Sequence, residues 1–249
     1  MLFRSVRRGR RPAHAGNLHR QHAEKRVAAT RPAHRQIRPH EHHDAQKPDA
    51  HAEQLPPLET RYKLLWDDEY LYLLAVLREP HLWATLTSPD AIIFQDHDFE
   101  IFLDPDRDQQ QYLEIEINAL GTIFDLFMNK PYNKGGKADI GWNLQGLRSA
   151  VSLQGTLNDP RDQDTGWMVE MAIPFQGMTI AKGQRPSPGD SWAVNFSRVE
   201  WVLDIDSAGY HKRLNGQGKP LPENNWVWRD RKSTRLNSSH ITISYAVFC

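Results

Sequence analysis

From Arg61 onward, apolar and polar residues alternate with a period of two through short segments separated by turn-forming residues, the pattern of half-buried strands. In the segment 98–104 (DFEIFLD), Phe99, Ile101 and Leu103 fall on one side, and Asp98, Glu100 and Phe102 on the other. In the segment 112–118 (YLEIEIN), Leu113, Ile115 and Ile117 oppose Tyr112, Glu114, Glu116 and Asn118. An Asp-rich turn joins the two, so they predict an antiparallel hairpin. Its second face is either wet, the common arrangement, or a polar binding surface on a rigid sheet.

The same pattern runs through the rest of the segment. Arg61–Glu79 holds two apolar runs split by Asp67-Asp68-Glu69, a hairpin signal. Tyr70–Leu77 is apolar on both sides, as in a central strand. Further strands are expected over Gly121–Met128, Leu147–Leu157, Gly166–Ile173 (closed by Pro174) and Ser191–Trp201, with one helical turn at Phe175–Met178. Pro80–Gln95 and Asn129–Asn143 read as loops. Strands at regular spacing with almost no helical periodicity predict an all-β fold, an antiparallel β-sandwich.

Composition divides the chain in three. Residues 1–54 hold ten Arg and two Lys against five acidic residues, with eight of the twelve histidines. They carry almost no large apolar side chains, so this basic head is expected to be disordered. No apolar run follows its arginines, so it is not a signal peptide. A nucleic-acid arm is the functional reading of such basicity, but no binding module accompanies it. An Arg/His/Pro/Ala-rich stretch beside an acidic domain also resembles translation in a wrong frame, the reading favoured here. Residues 230–249 resemble, residue for residue, a translated sequencing adapter, and are expected to be an artefactual tail. The only cysteine, Cys249, falls there. Residues 55–229, with sixteen Lys and Arg against twenty-five Asp and Glu, are long enough for one domain with its own core. No apolar run is long enough to span a bilayer as a helix.

Six segments occur in an order that carries a resemblance. They are 65–72 (LWDDEYLY), 98–106 (DFEIFLDPD), 112–118, 155–159 (GTLND), 166–174 (GWMVEMAIP) and 195–201 (NFSRVEW). Together they resemble the family 9 carbohydrate-binding module, in its bacterial family 9-like branch, over roughly Thr60 to Trp228. The resemblance implies a jelly-roll-like β-sandwich that binds a polysaccharide or oligosaccharide without catalysis, with no nucleic-acid or membrane partner. It also implies attachment to a secreted glycoside hydrolase, hence an extracellular or periplasmic place, and calcium in some members. The family normally has a strand or two before Thr60 and continues past Trp228, where this chain has its head and tail, so the sandwich is expected to be truncated at both ends.

Sugar recognition needs flat aromatic faces for pyranose C–H groups and planar polar groups for vicinal hydroxyls. Trp66, Trp167 and Trp192 alternate with core residues and are expected to be buried; Trp142, Trp226 and Trp228 lie in loop-like stretches. The family binds chain ends between two facing tryptophans, and by position Trp83 and Trp201 are the candidates. The polar candidates are Glu114, Glu116, Asn118, Arg198 and Glu200. Arg198 would offset the hairpin carboxylates if its strand lies beside them; the bland alternative is a structural ion pair. Asp104, Asp106 and Asp108, and Asp159, Asp162 and Asp164, each place three carboxylates on a tight turn, a donor set suited to Ca²⁺. His81, His97 and His211 are too scattered for a zinc site. The competing reading is a glycoside hydrolase acting on O-glycosyl bonds, with Glu100 and Glu116 as its carboxylate pair.

Overall fold

The Asp67 carboxylate turns the chain where the sequence places a turn: its Oδ1 accepts the Glu69 and Tyr70 N–H groups, both at 2.8 Å. This is seen in the computed structural model, which describes residues 58–227 apart from 188, and the backbone of two short outlying strands. Those are β1 (Glu24–Arg26), paired with β2 (Thr60–Trp66), and β14 (Ser239–Thr242), paired with β10 (Ser191–Glu200). The rest of the head, 1–54, and of the tail, 230–249, lies outside the described residues, as does Trp228.

Two antiparallel sheets form the sandwich. The first runs β1-β2-β3-β9-β8, with β3 at Tyr70–Arg78, β8 at Arg148–Gln154 and β9 at Gly166–Pro174. The second runs β13-β10-β4-β5-β6-β7, with β4 at Asp98–Asp104, β5 at Tyr112–Asn118, β6 at Ile123–Met128, β7 at Ala138–Asp139 and β13 at Asn224–Val227. A separate hairpin joins β11 (Leu203–Asp206) to β12 (Gly209–Lys212). Tyr70–Leu77 is central, between β2 and β9, as its two-sided apolarity requires. The helical turn after Pro174 is a 3-10 helix, Phe175–Ala181.

Between the sheets lies one core of Leu73, Leu77, Phe99, Ile101, Ile115, Val169 and their neighbours, including Trp66, Trp167 and Trp192. Burying side chains of this size stabilises by about 1.5–3 kcal/mol each. The opposite face of β4 and β5 is not wet. All seven residues of each strand are buried, because the β3–β4 connection folds over that face. Its Ile93 packs with Phe102, Tyr112, Phe124, Leu126 and Met128 in a second apolar cluster.

That connection is pinned by two side chains. Asp96 accepts the Thr85 and Leu86 N–H groups at 2.8 Å each. Asn118 donates to Leu86 O and Asp96 Oδ2, and its Oδ1 accepts the Leu120 and Thr122 N–H groups.

Candidate functional site

Strand parity divides the polar candidates between two faces. In the β4–β10 register Arg198 lies opposite Phe99 and Ser197 opposite Glu100. Arg198 and Glu200 therefore project from the core side, while Glu114, Glu116 and Asn118 project from the other. The expectation that Arg198 offsets the hairpin carboxylates is corrected here: its strand is their neighbour, but its side chain leaves by the opposite face.

Arg198 works instead at one end of the sandwich. Its Nη2 donates to Glu79 Oε2 at 2.7 Å and to Arg78 O at 2.9 Å, and its Nε donates to Glu200 Oε1 at 2.6 Å. His97 joins the group, with Nδ1 3.0 Å from Glu200 Oε2. The guanidinium also lies 5.9 Å from the Trp226 ring centre. All four charged residues are buried. Burial opposes the ionised form of Glu200, but the charges of Arg198 and then His97 win and hold its pKa down, at about 2. Glu79 moves the other way, raised by burial and by the nearby Glu200 charge to about 8. Although burial opposes a charged imidazole, Glu200 and then Glu79 keep His97 above its ordinary value.

The two candidate tryptophans, far apart in sequence, both touch this network through His97. The His97 ring stands edge-on to Trp83 at 5.2 Å, and its Nε2 donates to Trp201 O at 3.2 Å. Trp201 Nε1 donates to Phe94 O at 2.9 Å. Lys212, from the β11–β12 hairpin, lies over both indoles: its Nζ is 3.3 Å from the Trp201 ring centre and 5.7 Å from that of Trp83. Its hydrogen-bond partner there is neutral Gln95, at 3.3 Å. Burial lowers the Lys212 pKa. Trp83 is 7% exposed, whereas Trp201 is half-buried, so Trp201 offers the more open ring.

Lys212, His97 and Glu79 were not singled out as site residues in the sequence. The signal for Lys212 was present, since Leu203–Asp206 and Gly209–Lys212 flank a short Ser-Ala turn. Asn118 has its amide and carbonyl engaged in holding the loop, as described above. Glu114 accepts from Tyr132 Oη at 3.3 Å, and Glu116 Oε2 accepts the Phe94 N–H at 3.1 Å.

The acidic turns also differ. One oxygen from each of Asp104, Asp106 and Asp108 lies within 4.8 Å of the others. Asp104 accepts the Arg107 and Gln109 N–H groups, both at 3.0 Å, and Lys182 Nζ bonds Asp106 at 2.5 Å and Asp108 at 3.1 Å. Burial pushes Asp104 up to about 7. Asp159, Asp162 and Asp164 form no such cluster. Asp159 pairs with Arg161. Asp164 accepts the Leu82 and Thr156 N–H groups, each at 2.7 Å, and a Cβ on Gly155 would fall 1.8 Å from its Oδ1. These contacts make Asp164 a structural clamp.

A cavity of about 530 Å³ lies elsewhere, between the β5–β6 turn and Asn143–Leu147, lined by Asp90, Thr122, Asp125, Asn143 and Gln145. No aromatic ring lines it.

The fold defines a class: an antiparallel β-sandwich. A sequence model described as carbohydrate family 9 binding domain-like matches residues 40–200, and the chain belongs to that family. Its function is carbohydrate binding without catalysis. Two curated proteins match, an exoglucanase XynX of Acetivibrio thermocellus and an endo-1,4-beta-xylanase A of Thermoanaerobacterium saccharolyticum. Each is 28% identical over 121 residues, which is 49% of this chain and 9% of the relative's length. Among solved structures, a family 9 module of Caldicellulosiruptor kristjanssonii in complex with glucose is 18% identical, with 74% of each chain covered and a TM-score of 0.44. A putative carbohydrate-binding protein of Bacteroides uniformis is 17% identical, covering 68% of this chain and 69% of that one, with a TM-score of 0.45. Among the described residues, no helix is long and apolar enough to cross a membrane.

Proposed function

We propose that the chain binds β-1,4-linked glucan or xylan through the cluster of Trp83, Trp201 and Lys212. The observation that carries this reading is the convergence of two tryptophans, 118 positions apart in sequence, on one lysine at the end of the sandwich. Trp201 supplies the face for a pyranose ring, with Trp83 forming the wall beneath it. Lys212 swings off the Trp201 ring to admit the sugar and donates to its hydroxyls. The Glu79–His97–Arg198–Glu200 network fixes the Trp201 backbone and so the platform. The glucan and xylan classes follow the names of the two curated relatives. Their much greater length supports a module working beside a catalytic domain outside the cell.

Calcium at Asp104, Asp106 and Asp108 belongs to the same reading, with Lys182 displaced when the ion binds. The proposal does not extend to Asp159, Asp162 and Asp164, because Asp164 has both oxygens committed to backbone donors.

Titration calorimetry of the full chain with cello- and xylo-oligosaccharides tests the binding site. Binding lost in Trp201→Ala supports it. Binding undiminished in both Trp201→Ala and Trp83→Ala moves the site elsewhere, with the polar cavity as the next place to look. Release of reducing ends, abolished by Glu116→Gln, would overturn the non-catalytic reading.

A further inference from the structure

The cavity beside the β5–β6 turn is built from parts of the chain that the tryptophan cluster does not use. Its volume of about 530 Å³ is that of a small-molecule site. Three stretches wall it: the β3–β4 connection around Asp90, the turn at Leu120–Ile123, and Asn143–Leu147 ahead of β8. Leu144 belongs to the main core and Ile123 and Leu147 pack against it, so one part of the lining is apolar. The other part is polar, with Asp90, Asn143 and Gln145 exposed.

The ionisable groups of this lining carry one sign. Asp90 and Asp125 contribute to it, and no lysine, arginine or histidine does. Asp125 is only 6% exposed, and its Oδ2 is fixed by accepting the Leu144 N–H. Burial raises the Asp125 pKa in spite of that bond, and the Asp90 charge adds to the rise. Ionised Asp125 is therefore held at a cost that a cation in the cavity would relieve. Asp90 stands on the rim with a left-handed backbone, φ 58°. Among the described residues, no hydrogen bond or ion pair engages its carboxylate or the Gln145 amide, so both are free to turn to a ligand.

We propose that this cavity binds an amino sugar, with the protonated amine taken by Asp90 and Asp125 and ring hydroxyls by the Asn143 and Gln145 amides. An ammonium on a carboxylate makes charge-assisted hydrogen bonds, the stronger kind. A neutral pyranose leaves both carboxylates uncompensated, and a uronate adds a third negative charge. A bare inorganic cation leaves the amides and the apolar wall without a partner. The site stands apart from the tryptophan cluster and does not depend on it.

The test is a titration of the folded full chain at neutral pH, followed through its backbone amide NMR shifts. Glucosamine is compared with glucose, N-acetylglucosamine and ammonium chloride at equal concentrations. The expected result is saturable shifts at residues 120–123 and 143–147 with glucosamine, and affinities at least tenfold weaker for the other three. Asp90→Asn should weaken glucosamine at least tenfold without moving the melting temperature, because Asn tolerates the left-handed backbone and the carboxylate holds no structural contact. The proposal is overturned if glucosamine leaves those amides unmoved, or if glucose, N-acetylglucosamine or ammonium does as well. It is equally overturned if Asp90→Asn binds glucosamine unchanged. Shifts confined to the surroundings of Trp201 would overturn it too, while leaving the tryptophan site intact.

Discussion

Two buried groups of charged side chains lie on opposite faces of one sheet, and they differ in make-up. On the core side, the two carboxylates Glu79 and Glu200 meet a guanidinium and an imidazole within hydrogen-bonding range. On the covered side, Asp98, Glu100 and Glu116 meet each other. His97 and Asp98 are adjacent in sequence, yet one joins the first group and the other the second. Charge balance inside this sandwich follows strand parity, not nearness along the chain. The group around Arg198 carries its own cations, whereas on the covered side Asp98 keeps one buried oxygen that accepts no hydrogen bond.

The largest expected effect breaks the balanced side. Arg198→Met leaves Glu79 and Glu200 buried without their shared partner and should cost about 3–5 kcal/mol in chemical denaturation. Asp106→Asn, on the exposed turn after β4, serves as the comparison and should cost far less. A loss below about 1 kcal/mol for Arg198→Met would show that the network contributes little.

Titration should then separate the two faces by sign. Asp98 has a folded pKa raised by burial and by the Glu100 and Glu116 charges. Its ionisation therefore costs stability that is absent below its unfolded value near 3.9 and grows as pH rises above it. Asp98→Asn should therefore gain stability at pH 7 and gain little near pH 4. Glu200 is depressed from 4.5 to about 2. Its contribution is complete above pH 4.5 and is lost as pH falls toward 2, so the penalty of Glu200→Gln should shrink with acid. Urea unfolding of both variants across this range checks the opposed slopes, and parallel slopes would erase the distinction.

Smaller effects sharpen the link between the balanced side and the ligand. Trp201→Ala should weaken oligosaccharide binding by about 1.4 kcal/mol, tenfold in Kd, as an aromatic platform is lost. Lys212→Met should change stability by only about 0.5–1 kcal/mol, the worth of its contact with the indoles. It should alter which sugars calorimetry detects more than whether the domain folds.

The acidic hairpin shows how far the sequence was legible. Its alternation put Phe99, Ile101 and Leu103 on one side, which is the core side, because period-two patterning is enforced by burial of one face. The second face read as wet or as a binding surface, yet it is sealed. Local pattern carries no record of a loop that folds back over a sheet, and Ile93, which does the covering, sits in a stretch without strand periodicity. Trp83 and Trp201 were proposed as a pair from the family resemblance and their positions, and the structure puts Lys212 within reach of both rings. Lys212 was missed, because the short strands around the Ser207-Ala208 turn were not read as a hairpin.

What the sequence determined by itself was the sandwich. Alternating segments, Asp-rich turns and a two-sided central strand follow from burying one face of each strand, a constraint written residue by residue. What only the tertiary structure decided was the company each polar side chain keeps. Arg198 and Glu100 belong to neighbouring strands but project to opposite sides, and Trp83 and Trp201 come within reach of the same lysine from two separate connections. Those outcomes depend on register and loop path, which are set by packing across the whole domain and not by any segment alone.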